Sequence, residues 1–408
     1  MQVSHPMCCG LDVHAAQLTA CLRRVSEDGQ ISTELVEYGT TSRELAACRT
    51  WLHQQHCPVV ALESTGVSWK PVYHVLSDTV EVYLANSREV RQRPGRKTDK
   101  NDAAWLAELL AHGLIKPSFV PPPTMRALRD LTRTRVSLVQ TRTQAKNRVY
   151  KVLEDTNIKL ASVVSDGFGK SARRMLDALI GGERDPQKLS GMALGSFRGK
   201  IPQHEVALEG PCTEQHAKLI AGALEVVDVL GRQIAEIDEQ LRELLSEMAP
   251  QREQLGSIPG VSEITARDII AEIGLEMRRF GSASRLASWA GLSPGNHERA
   301  GKRRKGRTYK GNRYLRRVLV PCAWATRKTS TCLGRTLRRL EARLGSKKAA
   351  MAVAHKRVVI ISHLLLEGTL YEEERYDRLL PRQEERERKR AIKALERLGY
   401  TVTLDKVA

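Results

Sequence analysis

The sequence lacks the cysteine and histidine spacings that bind metal ions in small zinc modules. Its eight cysteines include no Cys-X-X-Cys pair, and no set of Cys and His residues has zinc-finger spacing. We therefore expect no structural zinc. Reduced, mostly buried thiols are the expected state of these cysteines, and that state is typical of a cytosolic protein.

Long apolar runs are also missing. The first residues, MQVSHPMCCGLDVHAA, contain no basic start followed by an apolar stretch, so a secretory signal peptide is not expected. The run VVIISHLLL is too short to span a bilayer. The sequence therefore predicts a cytoplasmic protein with no membrane partner.

Acidic residues are fewer than basic ones. The 408-residue chain has 66 Lys and Arg against 47 Asp and Glu, which gives a formal net charge of +19. Such an excess favours a polyanionic partner, and nucleic acid in particular. Since 41% of the residues are hydrophobic, a disordered basic chain is not expected, and the length allows two or three folded domains.

The N-terminal part of the chain has the pattern of an α/β domain. Three consecutive antiparallel strands are predicted, followed by a helix, a buried strand, a helix, a strand and a third helix. This is the element order of the ribonuclease H fold. Two of the predicted strands end in carboxylates, Asp12 in CCGLDVH and Glu63 in PVVALEST. His14 is expected to be a hydrogen-bonding neighbour of Asp12.

Two further carboxylates, Asp99 and Asp102, lie three residues apart at the start of the third predicted helix. One interpretation is capping, because acidic residues in a first turn suit the helix dipole. The other is a metal site shared with Asp12 and Glu63, because carboxylates held this close repel unless a cation lies between them. Four such oxygen donors favour Mg²⁺, which can stabilise both the attacking and the leaving oxygen of a phosphodiester.

A Pro-rich linker and two long helices are predicted after the α/β domain. The second helix runs from about Thr213 to Met248, and its apolar positions recur in steps of three and four residues. These positions are Leu219, Ala223, Val226, Leu230, Ile234, Ile237, Leu241, Leu244 and Met248. A coiled coil and a helix packed on the first long helix of the same chain both explain this pattern, and both remain open.

The C-terminal part is predicted to be mostly helical and to bind nucleic acid. Residues 255–274, LGSIPGVSEITARDIIAEIG, resemble a helix-hairpin-helix element, which binds phosphates through amides at a helix N-terminus. Nine Lys or Arg residues lie between positions 302 and 317, with glycines between them, and predict a flexible phosphate-binding loop. The predicted nucleic-acid contacts are Arg96, Lys97, Lys302, Arg303, Arg304, Lys305, Arg307, Lys310 and Arg313.

Several long motifs, in order between about residues 8 and 370, resemble transposases of the insertion-sequence 110 family. The likeness is to its 1111 branch, which is related to pilin-gene invertases. The motifs are GLDVH, ALESTGVSWKPVYHVL, ANSREVRQRPGRKTDKNDAAWLAELLAHGLI, SIPGVSEITARDIIAEIG, ASWAGLSPGN and GKRRKGRTYKGNRYLRRVL.

The resemblance implies an N-terminal domain like that of Holliday-junction resolvases, with a magnesium-dependent Asp-Glu-Asp-Asp site. Matched motif by motif, this site is Asp12, Glu63, Asp99 and Asp102. The resemblance further implies a coiled-coil region and a C-terminal transposase domain with a nucleophilic serine. It also implies DNA as substrate, a structured guide RNA and a tetramer.

The chain departs from the family at that serine. The family motif continues from Pro-Gly-Asn to Glu-Ser, whereas this chain has Glu298 followed by Arg299. A protonated guanidinium cannot attack a phosphodiester. Ser293 and Thr308 are the neighbouring hydroxyl residues, and either would need a rearranged loop to substitute.

The predicted function is that of an insertion-sequence transposase or site-specific recombinase with metal-dependent strand cleavage. The alternatives are a catalytically impaired nucleic-acid-binding relative and a metal-dependent, structure-selective nuclease. The predicted domains are residues 1–117 (ribonuclease H-like), 118–250 (linker and coiled-coil helices), 251–370 (transposase domain) and 371–408 (charged tail).

Overall fold

The computed structural model describes residues 3–64, 66–87, 90, 102–164, 166–294, 298–299, 302–303, 308, 310–377, 392, 395–397 and 399–402. For residues 298–299 and 302–303 only the backbone is described. The chain divides into two compact units, Met1–Pro121 and Pro122–Ala408. The finer division into four segments stays a prediction.

The first unit is an α/β domain with the predicted order of elements. Its strands are β1 (Met7–Val13), β2 (Gln17–Val25), β3 (Ile31–Gly39), β4 (Val59–Glu63) and β5 (Glu81–Ala85). Its described helices are α1 (Ser42–Gln54), α2 (Trp69–Leu76) and α3 (Asp102–Ala111).

The five strands form one sheet in the order β3-β2-β1-β4-β5. β1, β2 and β3 are antiparallel to their neighbours, whereas β4 pairs parallel to both β1 and β5. This is the strand order of the ribonuclease H fold that the element sequence predicts. Helices α1 and α2 pack on one face of the sheet and α3 on the other, so β1 and β4 are apolar on both faces.

The second unit is helical. Its α-helices are α4 (Pro123–Asp155), α5 (Leu160–Val163), α6 (Lys170–Ile180), α7 (Pro186–Ser190), α8 (Ile201–Ala207), α9 (Glu214–Leu244), α10 (Ala249–Gly256), α11 (Glu263–Ile273), α12 (Ala283–Trp289), α13 (Arg313–Ala325), α14 (Cys332–Leu344), α15 (Ser346–Glu367) and α16 (Glu373–Asp377). Three 3₁₀ turns lie at Gly195–Lys200, Ser246–Met248 and Met277–Phe280. A short antiparallel pair joins β6 (Glu298–Arg299) and β7 (Lys302–Arg303), where the sequence predicted only a flexible loop.

The two long helices, α4 and α9, pack side by side within the chain. An ion pair between Arg135 on α4 and Asp238 on α9 ties them together. This is the intramolecular arrangement that the sequence left open beside a coiled coil. A coiled coil between copies of the chain remains a prediction.

The predicted apolar seam of α9 is right in its second half and wrong in its first. Leu230, Ile234 and Leu241 are buried as expected, but Leu219 is 53% exposed and Val226 is 41% exposed. The buried positions there are one residue further along, at Ile220, Leu224 and Val227. The physical reason is a second partner for this end of the helix.

That partner is the group of short helices α5 to α8. Met175, Leu176 and Leu179 of α6 share a core cluster with Ile220 and Leu224 of α9. The pair of hydrogen bonds between Arg173 and Asp228, at 2.7 and 2.8 Å, closes the same contact. The prediction assumed that α9 packs against a single helix. It therefore did not anticipate that the buried face of α9 is rotated where α6 packs against it.

The main core of the second unit surrounds α15. This helix is long and apolar enough to cross a membrane by length and composition, but more than half of its most apolar window is buried inside the protein. Its buried Arg357 donates hydrogen bonds to the carbonyl oxygens of Pro259 and Cys322. These bonds hold the turn between α10 and α11. The helix-hairpin-helix assignment of this segment stays a prediction.

Phosphate binding by this hairpin stays a prediction. The N-terminus of α11 is already capped by Ser262, whose hydroxyl accepts from the Thr265 amide. Glu263 adds a negative charge to the first turn. Both features compete with an incoming anion for the free amides.

The eight cysteines are free and buried, as predicted. Burial, together with a smaller effect of the nearby Cys57 thiol, raises the pKa of the Cys8 thiol to about 12. The side chain is therefore a protonated donor, and its Sγ donates to the carbonyl oxygen of Ala107 at 3.3 Å.

Candidate active site

Two of the predicted carboxylates lie at the ends of neighbouring parallel strands. The register of β1 and β4 pairs Gly10 with Ala61 and Leu11 with Leu62. Continued by one residue, it places Asp12 beside Glu63, at the spacing of about 4.8 Å that separates adjacent strands. Both side chains are half-buried.

Asp12 and Glu63 face the side of the sheet that α3 covers. Side chains alternate along a strand, so Asp12 shares the face of Gly10, and Glu63 shares the face of Ala61. Leu11 and Leu62 point to the opposite core, against α1 and α2.

Helix α3 runs antiparallel to β1 and very close to it. The amides of Ser4 and His5 donate to the Ala111 carbonyl oxygen at 2.8 and 3.1 Å, near the C-terminal end of the helix. Further along, the carbonyl oxygen of Ala103 lies where a Cβ of residue 10 would be. Only glycine at position 10 allows this approach. The start of α3 is thereby placed at the carboxyl end of β1.

Asp102, the first described residue of α3, therefore lies above Asp12. Helical side chains tilt toward the N-terminus of their helix, and this tilt carries the Asp102 carboxylate further toward the strand end. The electrostatics agree with the placement. Burial raises the pKa of the Asp12 carboxyl, and the charges of Asp102 and Glu63 raise it further, against the lowering influence of His14.

His14 behaves as the hydrogen-bonding neighbour that the sequence predicts. Its Nε2 lies 3.1 Å from Oδ2 of Asp12, and its own ring is exposed to solvent. The contact orders one carboxylate oxygen of Asp12.

The fourth predicted carboxylate, Asp99, lies outside the described residues. Within the described part of the chain, no three acidic, histidine or cysteine side chains form a group that could hold a metal ion. Asp12 and Glu63 lie at adjacent strand ends, and the charge of Asp102 acts on Asp12, but the three side chains do not by themselves form a metal-binding group.

The predicted basic residues divide into three groups. Arg96, Lys97, Arg304, Lys305 and Arg307 lie outside the described residues, and Lys302 and Arg303 are described only as the backbone of β7. Lys310 is exposed just before α13, and Arg313 is the first residue of that helix.

Hydrogen bonds and a close backbone contact fix the start of α13. The side chain of Asn312 accepts from the amides of Tyr314 and Leu315 at 3.0 and 2.9 Å. Gly311 packs against the backbone of Gly291, where a Cβ would overlap the Gly291 amide nitrogen. The sequence interpretation of Gly311 as a flexible loop residue is therefore incomplete, because this glycine also allows a close backbone contact.

Arg299, which the motif resemblance predicts to occupy the position of the family's serine, lies in β6. Its backbone pairs with that of Lys302. An isolated backbone bridge joins Pro294, which precedes β6, to Thr308, which follows β7. Thr308 is therefore brought opposite Pro294, the residue after Ser293. Both hydroxyl residues lie at the base of this short hairpin rather than at Arg299.

Sequence reasoning missed the role of Gly10. The signal was a glycine inside an otherwise apolar strand, which marks close approach of another backbone.

We expect Gly10→Ala to lower the free energy of unfolding by at least about 2 kcal/mol, because the added Cβ would meet Ala103 and, at 2.5 Å, the amide nitrogen of Ala107. Thermal melting of the two proteins measures the difference.

Gly231→Ala is the control for this experiment. A Cβ at residue 231 meets no atom within 4 Å, so alanine should leave the melting temperature unchanged or raise it. Equal melting temperatures for Gly10→Ala and the wild type would contradict the close approach of α3 to β1.

The strand order defines the first unit as a ribonuclease H-like domain. A family model described as a transposase domain of the Asp-Glu-Asp-Asp type matches residues 9–158. A second model, described as Transposase IS116/IS110/IS902 family, matches residues 252–336, so the two together cover more than half of the chain. The chain belongs to the IS110 family of transposases.

Individual relatives agree with this assignment. The chain is 28% identical over 327 residues to the transposase-type protein y4pF/y4sB of Sinorhizobium fredii, covering 77% of this chain and 74% of that protein. It is 26% identical over 244 residues to an uncharacterized 42 kDa protein of insertion element IS900 from Mycobacterium paratuberculosis, covering 55% of this chain and 59% of that protein.

A solved structure also matches part of the chain. RuvC from Thermus thermophilus matches with 16% identity and a TM-score of 0.22, over 28% of this chain and 99% of that one. The fold assignment rests on the strand order and not on this similarity.

Proposed function

We propose that the protein cleaves and exchanges DNA strands with Asp12, Glu63, Asp99 and Asp102 as its catalytic carboxylates. One observation supports the proposal: α3, which starts with Asp102 among the described residues, packs closely on Gly10 of β1, the strand that contains Asp12. DNA is the partner that membership of a transposase family implies.

The chemistry of this cluster fits a hard divalent cation, and we propose Mg²⁺. All the donors are carboxylate oxygens, which such cations prefer. The Asp12 carboxyl is partly desolvated and repelled by two like charges, and a cation between them would relieve this repulsion. When bound, the cation would stabilise the charge that develops on phosphodiester oxygens during cleavage.

The protein supplies the arrangement of the ligands. The hydrogen bond to His14 orients the Asp12 carboxylate, and the parallel pairing of β4 with β1 would set Glu63 beside it. Asp99 precedes Asp102 by three residues, which is the spacing of neighbours on one helix face. Arg96 and Lys97 precede this acidic pair and would hold the phosphates flanking the scissile bond.

Arg299 favours a second candidate function for this chain, namely nucleic-acid binding without strand joining. A guanidinium can hold a phosphate through paired hydrogen bonds, but it cannot form the covalent link that the family's serine forms. Cleavage without a covalent protein–DNA adduct would indicate the third possibility, a nuclease that uses the carboxylates alone.

The partners implied by the family resemblance are further proposals. We propose a structured RNA that selects the DNA sites, and a tetramer in which two half-sites meet across protomers. The coiled-coil role of α9 belongs to this proposal, because Leu219 and Val226 leave an apolar stripe exposed on that helix.

The Arg299→Ser variant tests which function this chain performs. Incubation of purified protein with Mg²⁺, the ends of the element and its flanking RNA should yield a covalent DNA adduct only for Arg299→Ser. The adduct is measured as a band that resists denaturation, beside Arg299→Ala as the control that also removes the guanidinium.

A covalent adduct formed by the unmodified protein would contradict the assignment of Arg299 as a disabling residue. In that case Ser293→Ala and Thr308→Ala, compared with each other, would locate the hydroxyl that forms the link.

A further inference from the structure

A basic groove lies between α13 and α15 in the second unit. It encloses about 480 Å³. Three of its cationic side chains come from α13 and one from the first turn of α15, and its floor is apolar. The residues that matter here are Arg313, Arg316, Arg317, Lys347, Trp324 and Met351.

The helical period explains why these residues share one surface. Arg313, Arg316, Arg317 and Trp324 follow one another at steps of three, one and seven, which keeps them on one side of α13. The opposite side, with Leu315 and other buried residues, packs into the core around α15. Lys347 and Met351 are one helical turn apart on α15 and complete the groove.

In the part of the chain that the structure describes, the cations of this groove form no ion pair with a carboxylate, although Arg317 also lines a neighbouring pocket with Asp268 and Glu272. Elsewhere in the same unit, arginines are matched with carboxylates, as in Arg133 with Glu272 at 2.9 Å and Arg173 with Asp228 at 2.7 Å. Among the described residues, no Asp or Glu forms an ion pair with any of the four cations of the groove. Arg313 donates a hydrogen bond to the Tyr314 hydroxyl at 2.8 Å.

The start of α15 adds a positive contribution of its own. The helix begins after Gly345 without a side chain that caps its amides, and its first turn contains no acidic residue. The positive end of the helix dipole therefore has the same sign as Lys347 and its neighbour Lys348. Four unmatched cations and this dipole repel one another, and a polyanion would relieve that repulsion.

We propose that this groove binds a single-stranded segment of nucleic acid. Guanidinium groups hold phosphates through paired hydrogen bonds, so the row on α13 follows the backbone of the strand. The half-buried indole of Trp324 and the side chain of Met351 offer an apolar surface for an unpaired base. The inference rests on the proposed function in one respect, namely that the partner of the protein is a nucleic acid.

Phosphates and unpaired bases occur in both DNA and RNA, so the contacts proposed for the groove do not indicate which of the two it binds. The experiment therefore measures binding of the full chain to three probes: a single-stranded DNA, an RNA of the same sequence and the corresponding duplex DNA. Binding is followed by fluorescence anisotropy in EDTA, where no metal-dependent cleavage occurs.

The first variant combines Arg316→Gln, Arg317→Gln and Lys347→Gln. We expect single-strand affinity to fall at least about tenfold, and the slope of log K against log salt to become shallower by about two, since each phosphate contact contributes about 0.7. The control combines Lys151→Gln, Arg174→Gln and Arg232→Gln, three exposed cations away from the groove. The control should retain the slope of the wild type.

The second variant is Trp324→Leu, which keeps the apolar floor but removes the stacking surface. We expect weaker binding of the single strands and unchanged binding of the duplex. Equal losses for strands and duplex would overturn the single-strand assignment, and equal slopes for groove and control variants would overturn the groove itself. A stronger loss for DNA or for RNA identifies which strand the groove holds.

Failure of this inference is distinct from failure of the proposed function. Binding in EDTA reports on the groove alone, whereas cleavage with Mg²⁺ reports on the acidic cluster. Retained cleavage by Asp12→Asn would overturn the catalytic proposal without changing any result for the groove.

Discussion

Asp12→Asn is expected to abolish DNA cleavage and to stabilise the metal-free protein. Loss of a central carboxylate removes several kcal/mol of transition-state stabilisation, so the cleavage rate should fall by at least about a thousandfold. Stability should rise because the raised pKa of the Asp12 carboxyl shows that its charged form is disfavoured in the folded protein.

The pH dependence of this stabilisation has a defined sign. A carboxyl whose pKa is raised on folding costs no stability at low pH, where it is protonated in both states. It costs most above its folded-state pKa. The gain from Asp12→Asn should therefore be absent near pH 3 and should grow as the pH rises past the raised pKa of Asp12.

Thermal melting with and without Mg²⁺ completes this experiment. Ligand that binds only the folded state raises the melting temperature, so Mg²⁺ should stabilise the wild type and have little effect on Asp12→Asn. Asp78→Asn, an exposed acidic position of the same unit, is the matched control. An Asp12→Asn protein that is less stable than the wild type, yet still cleaves DNA, would show that Asp12 has a structural role.

Glu272→Ala is expected to lower the free energy of unfolding by about 3–5 kcal/mol. The Glu272 side chain is 3% exposed, and its two carboxylate oxygens accept from Nε and Nη2 of Arg133, both at 2.9 Å. Arg129 donates to the backbone carbonyl oxygen of Glu272 at 2.7 Å. Alanine would leave the Arg133 guanidinium without its carboxylate.

The effect of Glu272→Ala extends to the start of the basic helix. Asn312, which caps α13, also donates to the Glu272 carboxylate, so the residue joins α4, α11 and α13. Glu272→Gln should recover part of the loss, since it keeps an acceptor for Arg133.

Glu263→Ala is the control, because Glu263 belongs to the same helix but forms an exposed ion pair with Arg252. Its loss should cost less than about 1 kcal/mol. Urea unfolding followed by circular dichroism compares the three variants. Equal costs for Glu272→Ala and Glu263→Ala would contradict the role of Glu272 as the link between these helices.

The first unit was predictable because its signals are local. Alternation, β-branched runs and strand-end carboxylates identified β1, β4, Asp12 and Glu63, and the order of elements implied the sheet. What the sequence could not show is the distance between α3 and β1, because nothing local measures how closely a helix approaches a strand. A glycine at position 10 permits this close approach, but only the folded structure shows that the backbone of α3 lies against it.

The helical unit was less predictable because its helices have several partners. The period of α9 identified the helix and the later buried positions, Leu230 and Ile234. The earlier positions changed face because α6 packs against Ile220 and Leu224. A periodic pattern predicts that a face is buried, but two partners at different angles divide that face between them.

The amino-acid sequence by itself determined the class of this protein: its excess positive charge, its α/β and helical elements, and its carboxylate and basic motifs. Only the tertiary structure decided which charges are neutralised and which remain available. Arg133 and Arg316 look alike along the chain, yet Arg133 is paired with Glu272. Arg316 lines a groove in which no described carboxylate forms an ion pair with it. The reason is that charge pairing depends on distances between residues remote in sequence, and those distances arise only when the helices pack.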